Sequence, residues 1–406
     1  MMPRFKLAMF QKKFVSHPPS DEFHSPAGLR PAFPATMPAV LKRLNLGLWL
    51  ATAFLICCGC HSLTASSHRN YSRFIGLTRF DNFTRSTDTD GETILLSPAL
   101  PAGMDWNQLV VSWNAAAPTG TYLKVEARAV RNGLPTRFYC LGWWSPDNLA
   151  FPRASQGAQK DADGEVKVDT LALSHLADAV QVRLTLGGLH HDAPALKLLG
   201  LSFCNTAITP PVLPPNRMAW GKIIPTPERS QQSYAGGNGW CSPTSVSMAL
   251  ARWGMVAQRP DWNLDAPAVA AGVYDHGFYH PTGNWPFNTA FAGSLNGMRA
   301  YVTRLSDISE LEDWIAAGIP VMISARWDLL QAGRPQDLNG HLTICRGFTE
   351  NGDLVINDPW TDLKVESVRH IYQRENVRRA WATSHNTVYL IYPENVAPPA
   401  DRFGHW

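Results

Sequence analysis

Short runs in which apolar and polar residues alternate fill the chain between residues 70 and 208. Alternation with a period of two is typical of strands that bury one face. Turn-forming residues separate the runs at roughly even spacing, which favours an all-β, antiparallel sandwich domain. The predicted strands are 92–96, 108–113, 122–129, 137–144, 166–173 and 179–186.

The pattern changes after residue 229. From Val246 to Trp253, apolar residues recur at i, i+3, i+4 and i+7, which predicts an amphipathic helix. Pro243 suits the first helical turn, because its missing N–H has no partner there in any case. Gly254 is the predicted end of the helix. Cys241 is therefore predicted to lie at the N-terminus of a helix.

Two further alternating runs, 341–345 and 353–357, flank a loop at 349–352 that contains an Asn-Gly pair. This combination is typical of an antiparallel hairpin. With that loop, residue 358 lies diagonal to His341 on the same face of the sheet. We therefore expect Asp358 to lie within side-chain reach of His341.

The rest of the second half predicts a mixed α and β fold. A helix is predicted from Ser309, with Glu312 in the capping-box position, and strands at 319–325 and 387–392. The stretch 274–292, rich in histidine, aromatic residues and glycine, is predicted to be an irregular loop beside a substrate cleft. A helix followed by an antiparallel sheet is what an α+β papain-like domain requires.

Four prolines between residues 209 and 216 predict an extended linker. The linker divides an accessory β-sandwich domain at 68–208 from an α+β domain at 217–395, and a short tail follows at 396–406. Residues 1–36 are polar and lack periodicity, so we expect them to be disordered or to lie upstream of the true start.

Residues 37–60 are predicted to be an export leader, because two basic residues precede an apolar stretch that ends in small residues. Gly59 and Cys60 resemble a bacterial lipoprotein box, which implies that Cys60 is lipidated and anchors the protein to a membrane. The alternatives are a plain cleaved signal and an uncleaved anchor. We expect palmitate labelling of the exported protein, and its loss in the Cys60→Ser variant; labelling that persists would contradict lipidation.

The composition limits the class of partner and the roles open to the cysteines. The formal net charge of the 406 residues is only +3 and no long basic run is present, so nothing indicates a nucleic-acid partner. Three of the seven cysteines lie in the leader. Cys140 and Cys204 form a disulfide in an exported protein or remain buried free thiols, and the sequence leaves both open.

Trp143, Trp144 and Phe151 form a sugar-stacking surface if they are exposed, although aromatic residues in strands are more often part of the core. His190 and His191 are adjacent and point to opposite faces of a strand, so they predict no metal site.

The predicted chemistry depends on Cys241, because the thiolate is the nucleophile of cysteine enzymes and a helix N-terminus lowers a thiol pKa. His341 is the favoured base, since a strand and a carboxylate partner accompany it. His276 and His280 are the alternatives, but both lie in the 274–292 loop without such a partner. No metal or organic cofactor is implied.

The strings RSQ, WCSPTS, GHLTICRGF and INDPW, in this order, resemble the peptidase C39-like family of papain-fold cysteine peptidases. The resemblance covers about residues 217 to 395. It implies that Cys241 is the nucleophile, His341 the general base and acid, and Asp358 the residue that orients His341. The family's oxyanion-binding glutamine falls on Gln231, with its neighbour Gln232 as the alternative.

These observations together predict an exported or lipid-anchored cysteine peptidase that cleaves a peptide or other amide bond in a peptide or cell-envelope substrate. Two other classes of function stay open. One is a non-catalytic envelope or glycan-binding protein with a vestigial C39-like domain. The other is a thiol acyltransferase or cell-wall amidase, since these enzymes share the arrangement of Cys, His and acid.

Overall fold

The computed structural model of the protein describes residues 70–331 and 340–406, and these residues belong to one compact unit. Residues 1–36, the predicted leader at 37–60 and the candidate lipidation residue Cys60 lie outside the described residues. None of the described helices combines the length and the apolar character needed to cross a membrane.

The first region of the described chain is built from eleven strands in one hydrogen-bonded sheet. Every pair of neighbouring strands is antiparallel, which agrees with the β-rich region predicted from the alternating pattern. The strands are β1 (Ser72–Leu77), β2 (Thr84–Thr87), β3 (Thr93–Leu96), β4 (Leu100–Ala116), β5 (Thr121–Arg131), β6 (Leu134–Pro135), β7 (Tyr139–Trp144), β8 (Gln159–Lys160), β9 (Gly164–Lys167), β10 (Thr170–Gly188) and β11 (Ala195–Cys204).

Strand β10 connects the parts of this sheet, because it forms hydrogen bonds with several other strands. Its first part pairs with β4 and β9, and its second part pairs with β5 and β3. The register against β4 shifts near Ala177, which lets the long strand bend. The predicted strand at 166–173 is divided by a turn at Val168, whose φ is 61°. The predicted strand at 179–186 is the second part of β10.

The second region combines a six-stranded antiparallel sheet with six described helices, as the predicted α+β character requires. The strand order is β12-β17-β13-β14-β15-β16. The elements in chain order are α1 (Cys241–Ala257), α2 (Ala266–Val273), α3 (Trp285–Ser294), β12 (Met298–Arg304), α4 (Ile308–Ala316), β13 (Val321–Arg326), α5 (Trp327–Leu330), β14 (Gly340–Phe348), β15 (Leu354–Asn357), β16 (Arg369–Tyr372), α6 (Arg374–Ala382) and β17 (Thr387–Pro393).

Helix α1 begins at Cys241 as predicted, but its predicted end at Gly254 is wrong. The helix continues to Ala257, and Gln258 follows in the left-handed conformation with a φ of 53°. A Cβ at Gly254 would lie 2.8 Å from the carbonyl oxygen of Arg259. The glycine is therefore needed for the close return of the chain after the helix, and it does not end the helix.

Helix α4 begins one residue before Ser309, after the capping residue Asp307, so the predicted start and capping box are corrected. Glu310 takes the part predicted for Glu312, because its carboxylate accepts a backbone N–H from the turn before the helix. Glu312 is instead fully buried and forms an ion pair of 2.5 Å with Arg374 of α6.

The predicted irregular loop at 274–292 is correct only as far as Asn284, because α3 follows. The Asn284 side chain accepts the N–H of Phe287 at 3.0 Å and caps the helix. Pro286 occupies the first turn, where a proline is tolerated. These start signals outweigh the low helical periodicity of the segment.

The hairpin of β14 and β15 has the predicted register at its open end. Ile344 lies opposite Asn357, which places residue 358 opposite 343 by extension. At the turn, Phe348 lies opposite Leu354, so the turn is one residue longer than predicted. A bulge between Cys345 and Gly347 restores the register.

The two regions share their hydrophobic cores. Val110 and Leu198 of the first sheet belong to the core of the second region. Phe287 and Ala290 of α3 belong to the core of the first region. The linker predicted at 209–216 separates two patterns of the sequence. In the structure, residues from both sides of it pack in the same hydrophobic cores.

The aromatic residues weighed as a sugar-binding surface are part of this packing. Trp144 is buried, and its ring lies 5.6 Å from that of Phe287, so an exposed role is wrong for Trp144. Trp143 and Phe151 are half-buried and lie against Tyr122, with ring centroids 5.3 and 4.6 Å away. The structure therefore supports the core alternative for Trp144, which belongs to the core of the first region, and leaves Trp143 and Phe151 half-exposed beside Tyr122.

Candidate active site

Cys241 is the first residue of α1, and the residue is half-buried, with its side chain packed against the core. The preceding residue, Trp240, makes no side-chain cap at the helix N-terminus. The first backbone N–H groups of a helix have no partner inside the helix and carry partial positive charge. Cys241 therefore combines access from solvent with an environment that favours a thiolate.

The first turn of α1 is attached to the strand that carries His341. The Ser245 hydroxyl donates to the carbonyl oxygen of Leu342 in β14 at 3.1 Å. Because Leu342 follows His341 directly, this bond fixes the helix start relative to the imidazole. The backbone N–H of Leu342 also stabilises the Cys241 thiolate.

His341 and Asp358 form a buried pair, with 2.6 Å between Nε2 of His341 and Oδ1 of Asp358. His341 is 5 % exposed and Asp358 is 1 % exposed. Since Asp358 takes Nε2, Nδ1 is the remaining ring nitrogen, and His341 is close enough to Cys241 to lower the pKa of its thiol. The structure thus brings Cys241, His341 and Asp358 together at one site.

Two more donors hold the Asp358 carboxylate. The backbone N–H of Trp360 donates to Oδ1 at 2.9 Å, and the hydroxyl of Tyr372 donates to Oδ2 at 2.8 Å. Tyr372 comes from β16, a strand that the sequence pattern did not predict. The strand is only four residues long and lacks an alternating pattern, so this contact could not be predicted from the sequence.

The electrostatics of the site favour an ion pair between Cys241 and His341. Burial works to raise the pKa of the Cys241 thiol, but the hydrogen bond and charge of His341, with the N–H groups of Leu342 and Ser242, lower it below its ordinary value. Burial works to lower the pKa of His341, but the charge and hydrogen bond of Asp358 raise it to about 10. The pKa of Asp358 is lowered by the same pairing, against the effect of burial.

The other described cysteines lie in surroundings that disfavour a thiolate. Cys140, Cys204 and Cys345 are free and buried, so the disulfide considered for Cys140 and Cys204 is not formed. Burial raises the pKa of each thiol, that of Cys345 to about 12. Cys241 is therefore the described cysteine that is suited to react near neutral pH.

Gln231 connects the chain next to Asp358 with the loop before Cys241. It is 1 % exposed, whereas Gln232 is exposed. Its backbone N–H donates to the carbonyl oxygen of Pro359, next to Asp358, and its Nε2 donates to the carbonyl oxygen of Gly237, in the loop before Cys241. A Cβ at Gly237 would lie 1.9 Å from the Gln231 carbonyl oxygen, so the loop can fold back this tightly only with glycine.

The alternative histidines do not share the burial of His341. His276 and His280 are exposed, in the segment between α2 and α3. Within residues 70–331 and 340–406, no group of three or more His, Cys, Asp or Glu side chains is arranged to hold a metal ion.

The Asp358→Asn variant is expected to shift the reaction of Cys241 with iodoacetamide to higher pH. Without the carboxylate charge the pKa of His341 falls, less imidazolium faces the thiol, and the thiol pKa rises again. We expect alkylation at pH 6 to slow by about tenfold, measured by mass spectrometry of the modified peptide. The control is Tyr372→Phe, which removes one donor but keeps the charge and is expected to shift the profile less. An unchanged profile in Asp358→Asn would contradict the coupling.

A thiol at a helix N-terminus, a buried imidazole on a facing strand and a carboxylate on the next strand are the arrangement used by cysteine hydrolases. The chain belongs to the peptidase C39-like family. Residues 223–389 match the Peptidase C39 like family, and residues 66–203 match the Peptidase C39 N-terminal domain.

Two solved structures show weak similarity to the chain. A C39-like peptidase from Bacillus anthracis is 17 % identical, with a TM-score of 0.33 over 43 % of this chain and 99 % of that chain. A structure of infectious bursal disease virus Gt strain is 11 % identical, with a TM-score of 0.21 over 33 % and 32 % of the two chains. No curated protein matches the chain significantly.

Proposed function

We propose that the protein is a cysteine peptidase that hydrolyses a peptide or other amide bond through Cys241, His341 and Asp358. The observation that carries this proposal is the buried His341–Asp358 pair, with 2.6 Å between Nε2 and Oδ1, beside Cys241 at the start of α1, whose thiol pKa His341 lowers. Family membership supports the same chemistry. No metal or organic cofactor takes part in the proposed reaction.

In the proposed mechanism, the Cys241 thiolate attacks the carbonyl carbon of the scissile bond. The charge on the carbonyl oxygen is stabilised by the backbone N–H of Cys241 and by Nε2 of Gln231, which has a second hydrogen beyond the one given to Gly237. His341 donates its proton to the leaving amine, and a thioester remains. Water, deprotonated by His341, then hydrolyses the thioester to release the acid and regenerate the thiol.

The finer structural assignment is also part of the proposal. We propose a papain-like arrangement, in which the helix with the nucleophile and the sheet with the base form the two walls of the cleft. The bond between Ser245 of α1 and Leu342 of β14 supports it. The first region is proposed to be a two-layered β-sandwich, which the bending of β10 near Ala177 supports.

Export remains a proposal based on the sequence pattern at 37–60, with Cys60 as the lipid-bearing residue. A peptidase placed in this way would act on peptide or cell-envelope substrates outside the cytoplasm.

The test is incubation of the protein with a degenerate peptide library and mass spectrometry of the products, with Cys241→Ala as the control. We expect new carboxyl and amino termini with the active protein alone. Addition of a primary amine separates two reactions, because a hydrolase still yields the acid whereas an acyltransferase yields the amide of the added amine. Products that form equally with Cys241→Ala would overturn the proposal.

A further inference from the structure

A side-chain hydrogen bond from a distant segment reaches Gly239, at the end of the loop that leads into Cys241. The Thr282 hydroxyl donates to the carbonyl oxygen of Gly239 at 2.9 Å, two residues before Cys241. Thr282 itself is 3 % exposed. Gly239 is exposed, has a φ of 86°, and would have nothing within 4 Å of an added Cβ. The other contacts of this part of the loop are local: the N–H of Trp240 donates to the carbonyl oxygen of Gly237 at 3.0 Å, and the Trp240 ring lies 6.4 Å from that of Tyr234.

Thr282 is fixed by its own surroundings. The carbonyl oxygen of Thr282 accepts from Nδ2 of Asn288 in α3 at 2.9 Å. The preceding residue, Pro281, accepts the backbone N–H of Asp275 at 2.7 Å. Asn284 caps α3 and its Nδ2 also donates to Asp275 at 3.1 Å. The segment from 275 to 284 is thus a closed loop with both ends tied together.

The first region of the chain holds both ends of that segment. Arg153 is 1 % exposed, and its Nη2 donates to the carbonyl oxygen of Ala271 at 2.7 Å, near the C-terminus of α2. At the other end, Asp169 accepts the N–H of Trp285, the first residue of α3, at 2.7 Å. The guanidinium of Arg153 therefore lies at the negative end of the α2 dipole, and the carboxylate of Asp169 lies at the positive end of the α3 dipole.

A third contact lies between these two. The backbone N–H of Ser155 donates to Oδ1 of the fully buried Asp275 at 2.8 Å, and the Ser155 hydroxyl donates to its other oxygen. The N–H of His276 donates to the carbonyl oxygen of Arg153 at 2.9 Å. Residues 153–155 of the β-rich region and residues 274–277 therefore hold each other through reciprocal hydrogen bonds.

We propose that Thr282 is a positioning residue for the segment Gly239–Cys241, and that the β-rich region sets the place of Thr282 through Arg153, Ser155 and Asp169. This inference rests on the proposed function of Cys241 as the nucleophile. It assigns to the β-rich region a part in catalysis through the geometry of the nucleophile loop, in addition to its part in folding.

The hydrogen bond from Thr282 affects the site because Gly239 lies two residues before Cys241, the first residue of α1. The orientation of the first peptide units of α1 decides where the N–H of Cys241 points and how the thiol faces His341. Small displacements of a nucleophile or of an oxyanion donor reduce rates strongly. Loss of the Thr282 bond is therefore expected to reduce the turnover rate more than substrate binding.

The test compares Thr282→Val, which keeps the shape but removes the hydroxyl, with Thr282→Ser, which keeps the hydroxyl. We expect Thr282→Val to lower kcat about tenfold at nearly unchanged KM, and to shift alkylation of Cys241 by iodoacetamide to higher pH. Thr282→Ser is expected to restore both to within about twofold. A melting temperature close to that of the original protein in both variants excludes general unfolding as the cause.

Ser155→Ala is a second variant, remote from Cys241, and it keeps the backbone N–H to Asp275. We expect a smaller loss of alkylation rate in the same direction, about two- to threefold. If Thr282→Val matches the original protein in kcat and in its alkylation profile, the proposed role of Thr282 is wrong. If Ser155→Ala alone has no effect, the role of the β-rich region is wrong.

Alkylation of Cys241 in the original protein and in His341→Ala shows separately whether the proposed function itself is wrong. Slow alkylation of Cys241 in the original protein, unchanged by His341→Ala, would show that Cys241 is not activated. Rapid alkylation that depends on His341, but not on Thr282, would overturn the positioning role alone.

Discussion

Replacement of Cys241 by alanine is expected to abolish hydrolysis, with a loss in kcat/KM of at least about 10⁴-fold. In the proposed mechanism the thiolate forms the covalent bond to the substrate, and no other group of that mechanism replaces it in this step. The rate is measured as product formation from a peptide that the library screen identifies. The melting temperature should change little, because Cys241 is partly exposed at a helix start.

The companion variant His341→Ala is expected to lose a similar factor, and the double variant little more than either single variant. Residues that act as a unit show this lack of additivity. Cys345→Ala is the matched control, because Cys345 is a buried thiol two positions along the same face of β14 from residue 343. Activity that survives in Cys241→Ala but is lost in Cys345→Ala would assign the role of nucleophile to Cys345 and contradict the proposed mechanism.

Much of the site could be predicted because its members lie on short-range patterns. The start of α1 followed from Pro243 and the apolar spacing after it, and the His341–Asp358 pair followed from the hairpin. The hairpin prediction was right at residue 358 although the turn is one residue longer than predicted. The bulge near Arg346 compensates for the longer turn. The segment before α1 binds there, because the N–H of Ile224 donates to the carbonyl oxygen of Arg346 and Nε of Arg346 donates to the carbonyl oxygen of Ile224.

Other parts could not be predicted, because they depend on contacts between residues far apart in the chain. Gly254 has the sequence context of a helix end, yet its role is set by the return of the chain at Arg259. Trp144 alternates like any strand residue, and only the position of Phe287 shows why it is buried. Thr282 has no motif at all. Long-range packing decides the role of each of these residues.

The predicted division into two independent domains is tested most directly by cutting the chain at the linker. We expect residues 217–406, produced alone, to form no stable native fold. Phe287 would lose its contacts with Trp113 and Trp144, whose ring centroids lie 6.1 and 5.6 Å away. Exposing one such ring costs about 2–3 kcal/mol, a large part of the 5–15 kcal/mol that typically stabilises a protein.

The cut would also uncover the edge of the second sheet. Strand β12 pairs on one side only, with β17. On its other side, Asn114 of β4 donates to the carbonyl oxygen of Ala300 at 2.6 Å and accepts its N–H at 3.1 Å. Ser112 accepts the N–H of Val302 at 3.3 Å. Without these side chains, β12 is an exposed edge that favours aggregation.

The measurements are size-exclusion chromatography and near-ultraviolet circular dichroism of residues 217–406, compared with the whole protein. We expect aggregation or loss of the aromatic signal, and slow, ordinary alkylation of Cys241. The variant Phe287→Ala in the whole protein serves as a graded control. It leaves Asn114, Arg153 and Asp169 in place, so we expect it to lower stability by about 3–5 kcal/mol yet keep the protein folded. A monomeric fragment that unfolds cooperatively and alkylates at Cys241 as fast as the whole protein would show that the shared core is dispensable. In that case the contacts from Arg153 and Asp169 could not be what holds the nucleophile loop in place.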